Sequence, residues 1–404
     1  MFKRFIVIIF AASNVCAQWF AQQSNTIYPL KSVYCADINM GWICGSDRIL
    51  TTTNSGLNWT VQLVNGKWNS IFFIDNMTGW VCGDSGKVGK TTNAGITWQY
   101  INSGTSERLN SIKFLNAQTG LIGGNNKIIL KTTDSGLNWI SLLPIGQPDI
   151  LAVKPLNDNI YFASGVNSSI FRSTNAGATW NLFSMNEPNP LFAIAFIDNY
   201  VGWATGCCGM FLKTTNGGEN WENLYYLTLG YTLYSMHFVS SQTGFVSGDG
   251  GIVYRTTNQG ESWDSTVTNT DQSLYSVYMV NENTGWVVGN YGTILKTTNG
   301  GGQGFPIGIN NISTAVPEDF KLYQNFPNPF NPTTKIKFDI KKQARVKLKI
   351  LDILGNELSL LINETLTEGS YIYTLNFAGF SSGIYFYKLQ TETFSDIKKF
   401  VFIK

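Results

Sequence analysis

The chain has 404 residues, enough for two or three domains that each bury a core. Aromatic residues make up 14% and charged residues 13%, with 40 glycines, a mixture that suits short strands and tight turns and excludes disorder or a long helical bundle. The formal net charge of +2, without any run of Lys or Arg interleaved with aromatics, gives no ground for nucleic-acid binding.

In chain order, the first element is a processing signal. Lys3 and Arg4 precede an apolar run from Phe5 to Ala12, and Val15, Cys16 and Ala17 offer small residues for cleavage after Ala17, making 1–17 a signal peptide. The run is too short for a transmembrane helix, and no later segment qualifies. A lipid anchor on Cys16 would ask for a small residue before the Cys and Leu three before it. Val15 and Ser13 stand there, so plain secretion is preferred. Five cysteines then remain (Cys35, Cys44, Cys82, Cys207 and Cys208), an odd number that leaves one unpaired or pairing between molecules. There is no C-x-x-C pair and the only histidine is His237, so no structural zinc site is expected.

A segment of the form T-T-N-x-G-x-x-W then recurs, ending at Trp59, Trp98, Trp139, Trp180, Trp221 and Trp263, at spacings of 39 to 42 residues. A seventh start at Thr297 lacks its Trp. Two more elements share the period: a strand-like stretch beginning at Leu30, Trp68, Leu109, Ile150, Leu191, Leu233 and Leu274, and a G-W-V-x-G-like stretch ending at Gly45, Gly83, Gly124, Gly165, Gly206, Gly248 and Gly289. A four-stranded unit of this length is the size of a propeller blade. Trp19 precedes Leu30 by 11 residues, as Trp98 precedes Leu109. The segment Gln18 to Gln22 is therefore expected to be the outer strand of the seventh blade, closing the ring.

The repeated T-T-N-x-G-x-x-W resembles the Asp-box of sialidase-type propellers. Its third residue (Asn93, Asp134) is expected to bond backbone N–H groups two residues on, its Gly to take a left-handed conformation, and its Trp to wedge between strands. The fuller wording Gly292 to Gly301 (G-T-I-L-K-T-T-N-G-G), after T-G-W-V-V-G, resembles the photosystem II assembly and stability factor propellers over about residues 19 to 304. That resemblance implies fold much more than activity.

After Gly304 the pattern stops, and 305–318 reads as a linker. Alternating Ile336, Phe338 and Ile340, then Val346, Leu348 and Ile350, followed by Tyr371 to Phe377, Gly383 to Leu389 and Lys398 to Ile403, predict a small Ig-like β-sandwich over 319–404. The run from Pro327 to Phe330 (P-N-P-F) through Ile350 to Glu357 and Ser381 to Leu389 to K-K-F-V-F-I-K resembles the type A C-terminal sorting domain of type IX secretion cargo. The resemblance implies passage across the outer membrane with the secretion machinery as partner, removal of the domain, and either display on the surface or release.

The fold class is thus all-β: a seven-bladed propeller over 18–304, closed by an N-terminal strand, plus the C-terminal sandwich. A sialidase would need an arginine triad, a tyrosine nucleophile and an acid. Only Arg48, Arg108, Arg172 and Arg255 lie in the repeats, and two of them share a repeat position with Lys90, Lys131, Lys213 and Lys296. That basic column reads as solvated strand ends, against a ring that attracts an anionic polymer. The fifth residue of the first strand varies most: Tyr34, Phe72, Lys113, Lys154, Ala195, His237 and Tyr278. Of these Tyr34, Lys113, Lys154, His237 and Tyr278 are candidate ligand-facing groups, while Trp19 and the six repeat tryptophans are structural. Cys207 and Cys208 could pair with each other or exchange with the other thiols. No catalytic residue, cofactor or metal is assigned. The reading is a non-catalytic binding or scaffold propeller with an unknown protein or glycan ligand. Its rival is a secreted sialidase-like or other glycan-active hydrolase.

Overall fold

In a computed structural model the protein is described over residues 19–142, 148–185, 187–224, 230–302, 305–313, 315–377 and 380–403. The signal peptide, its cleavage site at Ala17, Gln18 and the boundary at Gly304 lie outside them. Secondary structure is almost wholly β, with only short 3-10 turns beside it.

The strands fall into seven repeating sets among the described residues. The first strands are Leu30–Cys35, the end of Thr60–Phe73, Leu109–Phe114, Ile150–Pro155, Leu191–Phe196, Leu233–Phe238 and Leu274–Met279. Each pairs antiparallel with the G-W-V-x-G-like strand that follows, with a bulge after its first residue, as between Leu274 and Ser276. We number these sets as blades one to seven. Blades one and two share a continuous sheet, because Thr60–Phe73 serves as outer strand of one and first strand of the next.

Phe20–Ala21 pairs antiparallel with Ile294–Thr297 of blade seven, Phe20 opposite Lys296 and Ala21 opposite Leu295. Trp19 is 1% exposed and packs with Phe245 and Val253 of blade six and Leu274, Val287 and Leu295 of blade seven. Trp59 makes the equivalent contact, joining blade one to Trp286, Val288 and Ile294 of blade seven. The N-terminal segment therefore closes one end of the chain onto the other.

Successive first strands are also tied around the channel. Each is an edge strand, whose N–H groups need partners outside the sheet. Serines at their third position supply them: Ile71 N–H donates to Ser32 Oγ at 3.3 Å, Ile112 to Ser70 at 3.2 Å, Val153 to Ser111 at 3.3 Å and Val277 to Ser235 at 3.2 Å. Val33 N–H donates to Ser276 at 3.2 Å and joins blade one to blade seven. Further out, second-strand aromatics stack across the seams, Trp42 on Phe73 at 3.6 Å and Trp203 on Phe238 at 4.3 Å.

The repeat turn departs from the sequence reading in one bond. Asn93 Oδ1 accepts from Thr97 N–H at 2.9 Å and Asp134 Oδ1 from Asn138 N–H at 2.9 Å, four residues on and not two. The preceding Thr closes the nearer ring, with Asn93 N–H and Gly95 N–H both donating to Thr91 Oγ1. Gly95 sits at φ +83°, left-handed as expected. The basic column differs too. Lys131 Nζ donates to Ala176 O at 3.0 Å and Lys296 Nζ to Ser55 O at 2.9 Å, each in the next blade around the ring. Lys90, Lys213 and Lys296 lie 5.6, 5.6 and 5.1 Å over Trp80, Trp203 and Trp286. Lys131 and Lys296 thus bind across seams, while Lys90 and Lys213 lie over the cross-strand tryptophans of their own blades, and none of the four is a merely solvated strand end.

The remaining strands form two sheets around one apolar core. Lys321–Leu322, Thr333–Ile340 and Gly369–Asn376 lie in one; Glu357–Leu366, Ala344–Leu351, Gly383–Gln390 and Ser395–Phe402 form the other. The predicted alternation holds: Ile336, Phe338, Ile340, Val346, Leu348 and Ile350 are all fully buried between them. Within the expected linker, Phe305–Ser313 is itself a strand, pairing with Trp263–Ser265 of blade six and with Gly369–Asn376. An outer blade strand leaves backbone groups open at the sheet edge, and this strand satisfies them.

Candidate functional site

In the first strands of blades two, three, four, five and seven only the second and fifth residues keep contact with solvent; in blade one Ser32 does so as well, and in blade six every residue after Leu233 does. The first, third, fourth and sixth residues pack between blades. Two rings of side chains therefore line the channel, the second residues near the mouth where the first strands begin and the fifth residues deeper.

The deep ring holds all five candidate residues together. Tyr34 and Tyr278 have ring centroids 4.7 Å apart, and Tyr34 meets Phe72 edge-on at 5.3 Å. His237 stacks on Tyr278 at 4.5 Å, and its Nδ1 accepts the Met279 N–H at 3.1 Å. Burial, and then the charges of Lys113 and Lys154, hold the imidazole down at about 3, so it is neutral at ordinary pH. Burial and the neighbouring Lys154 bring Lys113 down to about 8, and burial lowers Lys154. Burial also raises both tyrosines. Solvent reaches these groups along the channel while protein surrounds them on every side, which explains partial exposure beside strong desolvation.

The second ring was not singled out from the sequence, although its column varies as much: Lys31, Asn69, Asn110, Leu151, Phe192, Tyr234 and Tyr275. Each occupies the bulge, where period-two counting loses its place. Blades five to seven form an aromatic arc, Phe192 to Tyr234 at 5.3 Å and Tyr234 to Tyr275 at 5.1 Å. Lys31 Nζ from blade one lies 3.7 Å over Tyr275 and closes the arc. Burial, and then the Arg108 charge, lowers the Lys31 ammonium.

Across the mouth the surface is polar. Arg108 pairs with Asp84 at 3.3 Å and donates to Asn69 Oδ1 at 3.1 Å, while Asn69 Nδ2 donates to Asp84 Oδ1 and to Leu109 O, each at 2.9 Å. Asn110 repeats this with Asn125 and Ile150 O. On the aromatic side Asp249 accepts from Ser273 Oγ at 2.6 Å and from the Thr232 N–H at 3.4 Å, while burial, and then the Asp249 charge, raises the Tyr234 hydroxyl. Cys207 and Cys208 lie on a turn at the same mouth with Sγ atoms 2.8 Å apart, both as free thiols. Cys208 is pushed up to about 11 by its hydrogen bond to Cys207 and then by burial. Cys35, Cys44 and Cys82 are buried and free, each thiol raised by burial.

The family model described as photosynthesis system II assembly factor YCF48 matches residues 61–181, 173–268 and 225–298, a span covering more than half of the chain. The model described as secretion system C-terminal sorting domain matches residues 324–404. No curated protein sequence matches the chain. Among solved structures it is similar to YCF48 bound to a D1 peptide, with 20% identity, 70% of this chain and 95% of that one covered, and a TM-score of 0.60. YCF48 from Cyanidioschyzon merolae gives 19% identity, 70% and 98% coverage and a TM-score of 0.59. The WD40 β-propeller domain of Doa1 gives 12%, 69%, 96% and 0.57. At these identities the structural likeness establishes the propeller fold alone.

Proposed function

The chain belongs to the photosynthesis system II assembly factor YCF48 family, and we propose that it is an exported, non-catalytic binding module whose near channel mouth takes an extended segment of a partner protein. The arc of Phe192, Tyr234 and Tyr275 closed by Lys31 carries this reading. Stacked, amphipathic rings offer large contact area at small entropic cost, and Asn69, Asn110 and Arg108 opposite them supply polar groups for a peptide backbone. One YCF48 has been solved with a D1 peptide bound, which favours a protein ligand over a glycan.

Against the hydrolase, two carboxylates at this mouth are engaged: Asp84 by Arg108 and Asn69, and Asp249 by Ser273 and the Thr232 N–H. Neither is poised as a general acid without losing those bonds. The sorting domain directs the propeller outward through type IX secretion, to the cell surface or the medium. That destination removes it from the periplasm, where an assembly factor for an inner-membrane complex would work.

The test is a displayed library of unstructured peptides, with a glycan array in parallel, screened against the purified full chain. Peptide binding that falls at least tenfold in Tyr234→Ala and Tyr275→Ala supports the reading. Glycan binding without peptide binding, or peptide binding indifferent to both substitutions, refutes it.

A further inference from the structure

The deep ring contains hydrogen-bond donors and cations without an anion to match. Lys113 and Lys154 come from neighbouring blades at the same position of their first strands. Neither ammonium has a carboxylate within ion-pair reach among the described residues, where the ion pairs all lie elsewhere. Among the described residues Lys113 has the Phe72 ring, 5.8 Å away, as its cation–π partner. Two unpaired cations side by side in a desolvated channel cost stability, and a native chain usually compensates such charges.

The third donor is His237. Its Nδ1 accepts the Met279 N–H at 3.1 Å, so the neutral ring carries its proton on Nε2 and can only donate there. Among the described residues Nε2 has no partner. Lys113, Lys154 and His237 hold the same position of their first strands, so all three groups face the channel. Tyr34 and Tyr278 lie ring against ring at 4.7 Å and wall that space on the side of blades seven and one. Ala195, the smallest member of the ring, leaves room beside Lys154. A metal ion is repelled by such a set, and a neutral sugar would leave both charges unpaired. A compact anion satisfies all three donors together.

We infer that the channel holds a compact oxyanion, a carboxylate or a sulfate- or phosphate-like group, bound by Lys113 and Lys154 with the His237 Nε2–H donating to it. The bound anion neutralises the charge of the two ammoniums and bridges blades three, four and six across the channel. The site is independent of what the near mouth binds, because its donors belong to the deep ring alone.

His237 is the only histidine of the chain, so ¹⁵N-histidine labelling of the full chain gives one imidazole pair to follow. Sodium sulfate, phosphate and acetate are each titrated against sodium chloride at constant ionic strength, and the three salts separate a tetrahedral anion from a carboxylate. The expected result is a saturable shift of the Nε2–H signal with at least one oxyanion and a parallel rise in melting temperature. Lys113→Met and Lys154→Met should each weaken that binding tenfold or more while keeping the parent's circular dichroism. The exposed control Lys342→Met should bind like the parent. No oxyanion shift beyond that of chloride overturns the inference, and so does equal affinity in the parent and both ring variants.

Discussion

Replacing Trp19 with alanine should destabilise the protein at least as much as Trp98→Ala, although Trp19 stands two residues after the expected cleavage site at Ala17. Terminal residues normally tolerate change because few contacts hold them. Trp19 differs because it is 1% exposed and fills the seam between Phe245 and Val253 of blade six and Leu274, Val287 and Leu295 of blade seven. Trp98 is only half-buried against its own seam. Truncating a buried Trp to Ala costs about 3–5 kcal/mol, a large part of the roughly 5–15 kcal/mol that holds a domain folded. The indole N–H to Thr266 Oγ1, at 2.9 Å, is lost as well, but Thr266 keeps its own bond to Val253 O and adds little to the cost. The strand beside Trp19 has only the two pairs Phe20–Lys296 and Ala21–Leu295, extended by the Gln22 N–H to Ile294 O and the Trp286 indole to Gln22 Oε1, so Trp19 is the apolar anchor of this segment in blade seven. Urea unfolding of parent and both variants measures the cost, and sedimentation shows whether the exposed edge at Ile294 and Leu295 associates. A Trp19→Ala protein as stable as the parent, and monomeric, would show that the seam holds without its tryptophan.

Four other outcomes are expected. Deleting residues 319–404 should leave the propeller in the periplasm, read by fractionation; normal levels in the medium would contradict the sorting role. Gln22→Leu removes the one acceptor shared by the Trp59 and Trp286 indoles, at 3.1 and 3.0 Å, and should cost about 1–3 kcal/mol in urea unfolding. On pH, His237 is held at about 3 against 6.5 unfolded, so the unfolded chain binds the extra proton between those values and stability falls as pH drops from 6.5 toward 3. Lys113, held at about 8 against 10.5, makes stability rise between those values in oxyanion-free buffer; His237→Gln and Lys113→Met should flatten their respective slopes in urea titrations across pH. The purified propeller should hydrolyse neither sialosides nor β-glucans, and turnover abolished by one Asp, Glu or Tyr substitution would restore the hydrolase reading.

Most of the frame was legible because a ring of equivalent blades imposes the same demand at each repeat. Leu30 and its counterparts must be apolar between blades, and Gly45 and its counterparts must let the backbone before the first strand approach. Those demands recur at a fixed spacing, so register alone located the strands and the closing role of Trp19. The bonds of the turn were less legible. Thr91 and Asn93 divide the backbone N–H groups between them, and a side-chain acceptor gives no sign in sequence of how many residues it reaches across. The basic column misled for a related reason: Lys131 and Lys296 reach acceptors in the next blade, some forty residues or the whole ring away in sequence.

The site was half legible, and the half that was missed has a physical cause. Along a first strand, four positions are spent on packing and on tying one blade to the next, as the serine ring shows from Ser32 around to Ser276. Only the second and fifth positions are released from that duty, so only there can seven copies of one unit differ without breaking the ring. Variation at position five pointed to the deep ring because it sits on a regular stretch of strand. Position two sits on the bulge, outside the alternation, so its Tyr234, Tyr275 and Lys31 show no shared pattern until the ring gathers them. The two rings then divide the work by depth. The aromatic arc with Lys31 lies at the mouth, where a long ligand can spread, and the unpaired cations lie deeper, beside Tyr34 and Tyr278, where the proposed anion binds.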